Sequence, residues 1–509
     1  HLPAMQPQPI TSTIWFRMLY AFLLTALSIF VVNPYKFGLY DHWYMLVWIN
    51  NLKNPEFLTL DPVIPQRDLH YSLLYSFIRI LPVELPVAFF TIYTLCLWST
   101  FYLTMAIHKL YSSRLIYITP LFLLIPWFTP GGTNTIPELL LMRMSNIAFL
   151  LLAIYYWLKQ RSLVAWLFVG VAFLFHPTTA LYLAAFLGIA LLIDKQKRKS
   201  KGEWLSILPF ILLSLPVFYQ KFTAPDTGFT GFLADEYWLE TIRIRSAHHA
   251  FPDTWHSRII YSGLALAGIL VSWVFIASGN LKKFLTGVAI GSIIILSCGL
   301  IFTYMYPSYL GIQVQPFRVN RLMMITVLII LPIILSRKQE TSSLGRIIGI
   351  LISLGLLYYG AYQQSKFHFF YYFTLSLPFG FVWFWKRSQK FVALLLGITL
   401  FVIFDNRDFT KLSLYDEIPE DQQELYSWIN DNTSKQSLWF IPSDMMYFRN
   451  HAGRAAAVAW MDGTFGYFDY NFNRKWRERY TKVFGAFKAG KTEPHIENVE
   501  GIVNDLDGN

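Results

Sequence analysis

The stretch MLYAFLLTALSIFVV at residues 18–32 is an uninterrupted apolar run. Two further runs resemble it: IIYSGLALAGILVSWVFIA at 259–277 and FVALLLGITLFVIF at 391–404. Each approaches the length of about 20 apolar residues that a helix needs to cross the hydrocarbon core of a bilayer. The chain of 509 residues is 55% hydrophobic and only 14% charged, whereas soluble domains carry about 25% charged residues. The sequence therefore predicts an integral membrane protein.

Runs of this kind recur along residues 1–404 and predict an all-α polytopic core of about 13 transmembrane helices. The predicted spans are residues 14–32, 85–108, 115–128, 142–158, 163–175, 178–193, 204–219, 259–278, 284–304, 320–336, 346–363, 368–385 and 391–404.

Lysine and arginine are concentrated in every second connection between these spans. The basic connections are Lys109 with Arg114, Lys159 with Arg161, residues 194–201, Lys282 with Lys283, residues 336–346 and residues 386–390. Because cytoplasmic loops are enriched in Lys and Arg, we expect a cytoplasmic N-terminus and an extracytoplasmic C-terminal region, in a bacterial inner membrane. Anchoring lysines also account for most of the net charge of +11, so we expect membrane lipids, and no nucleic acid, as partners.

The opposite, outer side receives the long loops 33–84 and 220–258 and a C-terminal region of different composition. Aromatic, helix-patterned segments at 44–53 and 71–82 predict interfacial helices lying on the membrane. The C-terminal region, residues 405–509, alternates a predicted amphipathic helix, PEDQQELYSWIND, two short strands, SLWFIP and AAAVAW, and a second helix, WRERYTKVFGAF. These patterns predict a small extracytoplasmic α/β domain.

The acidic residues of the first outer loop are candidates for chemistry. Asp41 follows the first span within YDHW; a carboxylate at this depth can accept a proton from an acceptor hydroxyl or hold a metal. His42 and Asp61 in the same loop are candidates for substrate binding. For both Asp41 and Asp61 the alternative is a solvated loop acid. No spacing here supports a metal motif, so we expect no cofactor, and a divalent metal stays open.

Three more polar residues lie where outer loops meet predicted spans. Glu138 follows the glycine-containing segment PGGTNTIP and is a candidate second catalytic acid, with stabilisation of a helix N-terminus as the alternative. Arg143 lies one turn further on and His176 precedes a proline that begins a helix. Both are candidates for substrate binding, with snorkelling and capping as the alternatives.

Basic side chains on the outer side predict an anion-binding site. Loop 220–258 contains RIRSAHHAFPDTWHSR, in which His248 and His249 are candidates for contact with a pyrophosphate or sugar. Arg318 and Arg321 lie one helical turn apart at an outer boundary, where anchoring arginines are not expected. Arginine binds phosphates through two parallel hydrogen bonds, so this pair is a candidate for binding a lipid-linked phosphate, with interfacial anchoring as the alternative.

The architecture resembles that of the GT-C superfamily of integral-membrane glycosyltransferases, which use polyprenyl-phosphate-linked sugars. The resemblance lies in an acid just after span one, helices in the first outer loop, many spans and an extracytoplasmic C-terminal α/β domain. The tail segment WINDNTSKQSLWFIPSDMMYFRNHAGRAAAVAWMDGTFGYF is also similar to the C-terminal region of a poorly characterised bacterial group with GT-C-like cores.

The resemblance implies that Asp41 is the catalytic acid of the first loop, that Glu138 or an acid in loop 220–258 is a second acid of the site, and that Arg318 or Arg321 holds the donor phosphate. The chain departs from the best-known subfamilies, since His42 replaces the second of two adjacent acids and no WWD-type motif is present. The acceptor class (glycan, lipid or protein) and metal dependence therefore stay open.

We thus expect inverting transfer of a sugar from a polyprenyl-phosphate donor at the outer face of the membrane. Three alternatives remain: a lipid-linked oligosaccharide polymerase or ligase, a transporter or flippase, and a non-catalytic membrane subunit whose tail docks a partner. Transporters often have ionisable residues within their spans and two repeated halves. The predicted spans contain almost no charged residues, and the sequence has no internal repeat.

Overall fold

The computed structural model describes residues 10–336 and 412–487, together with Pro494. Short gaps interrupt these ranges at residues 114–115, 118, 125–127, 130, 132, 138, 224–226, 230, 256–258, 276–278, 416–417 and 446. The predicted spans at 346–363, 368–385 and 391–404 lie outside the described residues.

The described chain is mostly helical. Its α-helices are α1 (Ile10–Leu27), α2 (His42–Lys53), α3 (Leu73–Arg79), α4 (Leu85–Lys109), α5 (Thr119–Leu124), α6 (Met142–Ser145), α7 (Ile147–Leu158), α8 (Ser162–Phe175), α9 (Pro177–Ile193), α10 (Lys195–Lys199), α11 (Lys201–Leu205), α12 (Leu208–Thr223), α13 (Glu236–Ala250), α14 (Ile259–Phe275), α15 (Asn280–Leu300), α16 (Tyr309–Gln313), α17 (Val319–Ser336), α18 (Glu420–Asn432), α19 (Phe448–His451) and α20 (Tyr470–Phe484). Two pairs of very short strands accompany them, β1 (Phe128–Thr129) with β2 (Thr133–Asn134), and β3 (Leu438–Trp439) with β4 (Ala455–Ala456).

Several of these helices have the length and composition of membrane spans, as expected from the sequence. Among the described residues, four helical segments are long and apolar enough to cross a membrane: Leu85–Lys109, Lys201–Lys221, Asn280–Met305 and Tyr309–Ile334. Shorter apolar helices accompany them at Ile14–Phe30, Met142–Leu158, Ser162–Phe175, Pro177–Ile193 and Ser262–Phe275. The described helices are thus compatible with a membrane protein, and the total of about 13 spans stays a prediction.

The predicted span at 115–128 is not one long helix. The chain forms a turn at Ile116 and Tyr117, the six-residue helix α5 and then strand β1. Six helical residues extend only about 9 Å, far less than the thickness of a bilayer. Prolines at 120 and 126 explain the difference, because a proline inside a helix removes a backbone hydrogen bond.

Helix α17 lies at the centre of the bundle. It packs against α4, α5, α9, α14 and α15, and almost all of its side chains are buried. An apolar helix that is buried on every side belongs in a protein interior. By contrast, α12 leaves many large apolar side chains exposed, including Leu212, Leu215 and Tyr219, as expected for a helix that faces lipid. Arg321 lies in the first turn of α17, and Arg318 ends the short 3-10 turn, Pro316–Arg318, that precedes it.

The basic connections meet at one end of the bundle. Lys197 donates to the Ser162 hydroxyl over 2.7 Å, Lys283 pairs with Asp194 at 2.7 Å, and the Asn280 amide contacts the carbonyl of Leu158. Three of the six basic connections are thus neighbours, which is the arrangement that the predicted topology requires.

The long loops and the C-terminal region meet at the opposite end, which we call the loop face (residues 33–84, 220–258 and 412–487). Trp238 donates its indole N–H to the carbonyl of Gly466 over 2.9 Å, and the Tyr467 hydroxyl donates to the carbonyl of Ile312 over 2.9 Å. The C-terminal region therefore packs directly on the outer loops.

Helix α2 differs from the expected interfacial helix. Nine of its twelve side chains are buried in protein, among them Trp43, Met45 and Trp48. Tail residues cover part of it: Phe465 lies 5.2 Å from Trp48, and the Asn450 amide donates to the carbonyl of Trp43. Its aromatic composition thus reflects a protein core instead of a membrane surface.

The elements predicted for the C-terminal region are present. The amphipathic pattern forms α18, the two short strands form the parallel pair β3 and β4, and the last pattern forms α20. With only two residues in each strand, the sheet contributes little cohesion, and most of the structure comes from side-chain contacts.

A buried ion triad joins the C-terminal region to the first loop. Arg449 donates to Asp61 over 2.6 Å and to both oxygens of Asp462 over 2.8 and 2.9 Å, and all three side chains are almost completely inaccessible. Asp61 also accepts the backbone N–H groups of Val63 and Ala456. Burial opposes the charge of Arg449, but the two carboxylates raise its pKa above the ordinary arginine value.

We predict that Arg449→Met destabilises the protein by about 3–5 kcal/mol, because it leaves two buried carboxylates without a countercharge. The measurement is thermal unfolding of the purified protein in detergent. The triple variant that adds Asp61→Asn and Asp462→Asn should recover part of the loss, since no buried charge then remains. Arg474→Met, on an exposed face of α20, serves as the control and should unfold like the wild type. Wild-type stability for Arg449→Met would refute the role of the triad.

Candidate functional site

A cavity of about 610 Å³ opens at the loop face, between the helix ends and the C-terminal region. Six of the ten residues predicted for the site line this cavity. The cavity wall contains Asp41, Arg143, His176, His248, His249 and Arg318. Among the described residues, the wall contains four cationic side chains, Arg143, Arg318, Lys221 and Arg245, and two acids, Asp41 and Asp68. The wall is therefore predominantly positive.

Asp41 is positioned by the turn that precedes α2. Gly38 and Tyr40 both adopt positive φ, 82° and 47°, and Asp41 follows directly, at the N-terminal boundary of α2, without capping it through its side chain. Its side chain is 36% exposed, and its Oδ2 lies 3.8 Å from Nη1 of Arg143. The carboxylate is thus held by a rigid buried helix and is accessible from the cavity.

His42 has a structural role next to Asp41. Its Nδ1 accepts the N–H of Gly38 over 3.0 Å, and its Nε2 donates to the carbonyl of Leu140 over 2.8 Å. The side chain is fully buried and lies outside the cavity wall. The structure therefore uses His42 to fix the turn that presents Asp41, and does not bring it to a position for substrate binding.

Arg318 faces the cavity and is oriented by His249. The Nδ1–H of His249 donates to the carbonyl of Gly131 over 3.0 Å, and its Nε2 accepts from Nη2 of Arg318 over 3.1 Å. Burial, and after it the Arg318 charge, hold the pKa of His249 well below its usual range. The imidazole is therefore neutral at pH 7, which is the state in which it can accept a hydrogen bond from a guanidinium.

The kink in α13 brings this histidine into the wall. Ser246 has φ −135° and ψ 29°, outside the helical range, and His248 and His249 follow it with their rings 3.9 Å apart. Loop 220–258 thus contributes both of its predicted site histidines to the cavity wall.

Arg321 lies behind the wall and does not line the cavity. Its guanidinium donates to the carbonyls of Asn134, Thr135 and Arg143 over 2.9 to 3.3 Å, and it is 2% exposed. These contacts fix the β1–β2 hairpin and the backbone of Arg143. Of the predicted arginine pair, only Arg318 is in contact with the cavity.

The remaining predicted residues have different placements. Asp61 belongs to the buried ion triad and is not in the cavity wall. Glu138 lies outside the described residues. His176 is in the wall, and its Nδ1 caps α9 by accepting the backbone N–H of Thr179.

Three buried donors in the cavity wall have no hydrogen-bond partner within the described part of the chain. They are Nε of Arg143, Nε of Arg318 and Nε2 of Gln313. A buried N–H without an acceptor costs about 1–3 kcal/mol, so such groups indicate a bound ligand or ordered water. Two of these donors belong to guanidinium groups, whose charge and geometry fit a phosphate or diphosphate.

The described residues contain no cluster of three or more His, Cys, Asp or Glu side chains that could hold a metal ion. A divalent cation bridging a ligand phosphate stays open.

One wall of the cavity was not anticipated from the sequence. Met461, Thr464, Phe465, Tyr467 and Phe468 of the C-terminal region line it. The Gly-aromatic composition of MDGTFGYFDY is a signal for an irregular, tightly packed segment, but it does not say which surface the segment covers.

Arg245 of α13 holds this wall in place. Its guanidinium donates to the carbonyl of Trp460 over 3.0 Å and to the Thr464 hydroxyl over 2.8 Å. Burial lowers the pKa of Arg245 to about 10, an effect that Asp462 and Asp41 oppose. The side chain is therefore still cationic at neutral pH, but its hydrogen bonds are used by the protein.

Comparison with known families gives one match. Residues 420–483 match a domain of unknown function, DUF6798. No curated protein matches the chain. The matched segment includes all five wall residues named above, so this family segment forms part of the cavity.

We predict that the cavity binds inorganic pyrophosphate and that Arg318→Gln weakens this binding by about 10- to 100-fold. A hydrogen bond to a charged group contributes about 1.5–3 kcal/mol, which corresponds to that range. Isothermal titration of the purified protein gives the dissociation constants. Arg198→Gln, on the exposed helix α10, is the matched control and should bind like the wild type. Equal affinities for Arg318→Gln and the wild type would contradict an anion site here.

Proposed function

We propose that the protein is a membrane glycosyltransferase that moves a sugar from a polyprenyl-phosphate-linked donor to an acceptor. The observation that carries the proposal is the cavity wall shared by Asp41, Arg143 and Arg318. One carboxylate and two incompletely paired guanidinium groups are the parts needed to deprotonate an acceptor and to stabilise a phosphate leaving group.

In the proposed reaction, the carboxylate of Asp41 takes the proton from an acceptor hydroxyl. The hydroxyl oxygen attacks the anomeric carbon, and the bond from that carbon to the phosphate oxygen breaks on the opposite face of the sugar, which inverts its configuration. The electron pair of that bond leaves with the polyprenyl phosphate. Arg143 and Arg318 stabilise the negative charge that develops there, so a strong general acid is not required.

The pairing of Asp41 with Arg143 fits these roles. Their charged atoms are 3.8 Å apart, longer than the 2.7–2.9 Å of a strong charge-assisted hydrogen bond. A phosphate can therefore engage Arg143 without first breaking a tight ion pair, and Asp41 keeps a free oxygen for the acceptor. His249 keeps the Arg318 guanidinium in one orientation, which reduces the entropy lost when the phosphate binds.

The proposed setting is a bacterial inner membrane with the loop face outside the cytoplasm. The clustering of basic connections at the opposite end supports that orientation, because such residues favour the cytoplasmic side. The polyprenyl chain of the donor would remain in the bilayer while its phosphate reaches the cavity.

We predict that Asp41→Asn lowers kcat for donor consumption by about 10²- to 10⁴-fold, the range for loss of a general base. The purified protein is incubated with a panel of polyprenyl-phosphate hexoses and pentoses, and release of polyprenyl phosphate is measured. Asp444→Asn changes an exposed acid that is not part of the cavity wall and should react at the wild-type rate. Full activity of Asp41→Asn would remove this residue from the mechanism.

A further inference from the structure

The cavity wall also contains a group of aromatic rings. His70 and Phe468 meet at 89° with ring centroids 4.8 Å apart, and Phe465 lies 5.4 Å from His70. Tyr71, which follows His70 in sequence, lines the same cavity. The rings come from the first loop and from the C-terminal region, so the two segments together form an aromatic corner (His70, Tyr71, Phe465 and Phe468).

Polar groups accompany these rings. The Tyr71 hydroxyl has no hydrogen-bond partner within the part of the chain that the structure describes. His70 donates its Nδ1–H to the carbonyl of Gln66 over 3.0 Å, and burial lowers its pKa to about 4, so its Nε2 is a neutral acceptor at pH 7. Asp68 and Lys221 line the same cavity and add a carboxylate and an ammonium group.

The aromatic corner is directly connected to the proposed reaction centre. Tyr44, in the cavity wall, lies 5.5 Å from Phe465 between ring centroids, and Tyr44 is also close enough to Asp41 and Arg318 to feel their charges. Tyr44 thus lies between the aromatic corner and Asp41, so a molecule bound at the corner would be close to Asp41.

We propose that the aromatic corner is the acceptor subsite and that the acceptor is a glycan. The C–H face of a sugar ring carries slight positive charge and packs against the negative face of an aromatic ring, while its hydroxyls pair with Tyr71, His70, Asp68 and Lys221. A purely hydrocarbon acceptor would leave these polar groups unsatisfied on binding, at a cost for each. The proposal rests on the proposed function for the transfer step, but glycan binding itself is independent of it.

Asp68 connects the first loop to the end of α12. The carbonyl of Asp68 accepts from the Gln220 amide over 2.7 Å, which fixes the end of α12 against the loop that carries His70 and Tyr71. Lys221 follows Gln220 in sequence, so the same contact places the ammonium group beside the rings. The polar groups of the corner thus belong to a fixed arrangement.

The first experiment measures binding of the purified full-length protein to an array of short neutral, amino and acidic oligosaccharides, without donor. We expect at least one glycan to bind. We expect Phe468→Ala to weaken that binding about tenfold through the lost ring contact, and Tyr71→Phe to weaken it about three- to tenfold through one lost hydrogen bond. Phe468→Tyr should restore most of the affinity, which a purely structural role of the ring does not predict.

The control variant is Trp428→Ala, which removes an exposed ring, 56% accessible, from α18 outside the cavity wall; it should bind like the wild type. Thermal unfolding of each variant verifies the fold, and Tyr71→Phe keeps the test valid if Phe468→Ala is unstable. Absence of glycan binding by the wild type, or unchanged binding by both Phe468→Ala and Tyr71→Phe, would overturn the subsite.

The second experiment measures donor consumption with water as the only acceptor and then with the bound glycan added. Glycan binding without any donor consumption would refute the proposed transferase and leave the subsite supported. Donor consumption without glycan binding would refute the subsite alone. We expect Tyr71→Phe to raise the KM for the glycan, and Trp428→Ala, outside the cavity wall, to leave both the KM and the hydrolysis of the donor unchanged.

Discussion

The ion triad formed by Asp61, Arg449 and Asp462 is the contact on which the loop face depends. It replaces the large sheet or disulfide that would normally join two distant segments, because each strand here has two residues. A buried charge of this kind is stable only when every partner is in place. The triad therefore makes the position of residues 461–468 depend on the first loop, and with it the shape of the cavity. A rearrangement of either segment would expose or unpair three charges at once.

Arg318 and Arg321, near the start of α17, differ in whether the protein satisfies their buried donors. Each of the three guanidinium nitrogens of Arg321 donates to a backbone carbonyl, and the side chain lies outside the cavity wall, so it contributes to structure. Arg318, one turn earlier, contacts a neutral histidine and keeps a buried Nε–H without an acceptor in the described chain. Burial of a cation with unused donors is unfavourable for the empty protein and becomes favourable when an anion enters. Their different partners, more than their shared charge, therefore determine what each can do.

Local pattern was enough to predict the helices and the short elements of the C-terminal region, since hydrophobic periodicity is a property of neighbours in sequence. It also placed Asp41 and Arg318 on one side of the bundle, where they share a cavity. It could not show that Asp61 pairs with an arginine 388 residues away, or that His42 would be used by a turn. Those outcomes depend on which segments meet in three dimensions. The broken helix at residues 115–128 is a different case, because prolines in the run already argued against a continuous span.

The match to the domain of unknown function has a physical implication for how its members are understood. Residues 420–483 donate or accept buried hydrogen bonds that end on other parts of the chain, including Asn450 to the carbonyl of Trp43 and Tyr467 to that of Ile312. In isolation, this segment would expose those polar groups together with Arg449 and Asp462, two of the three residues of the ion triad, and its own two-residue strands could not compensate. Such a segment gains its structure from the helices beneath it. Its chemistry is therefore best sought in the cavity that the two parts enclose, and not on the segment alone.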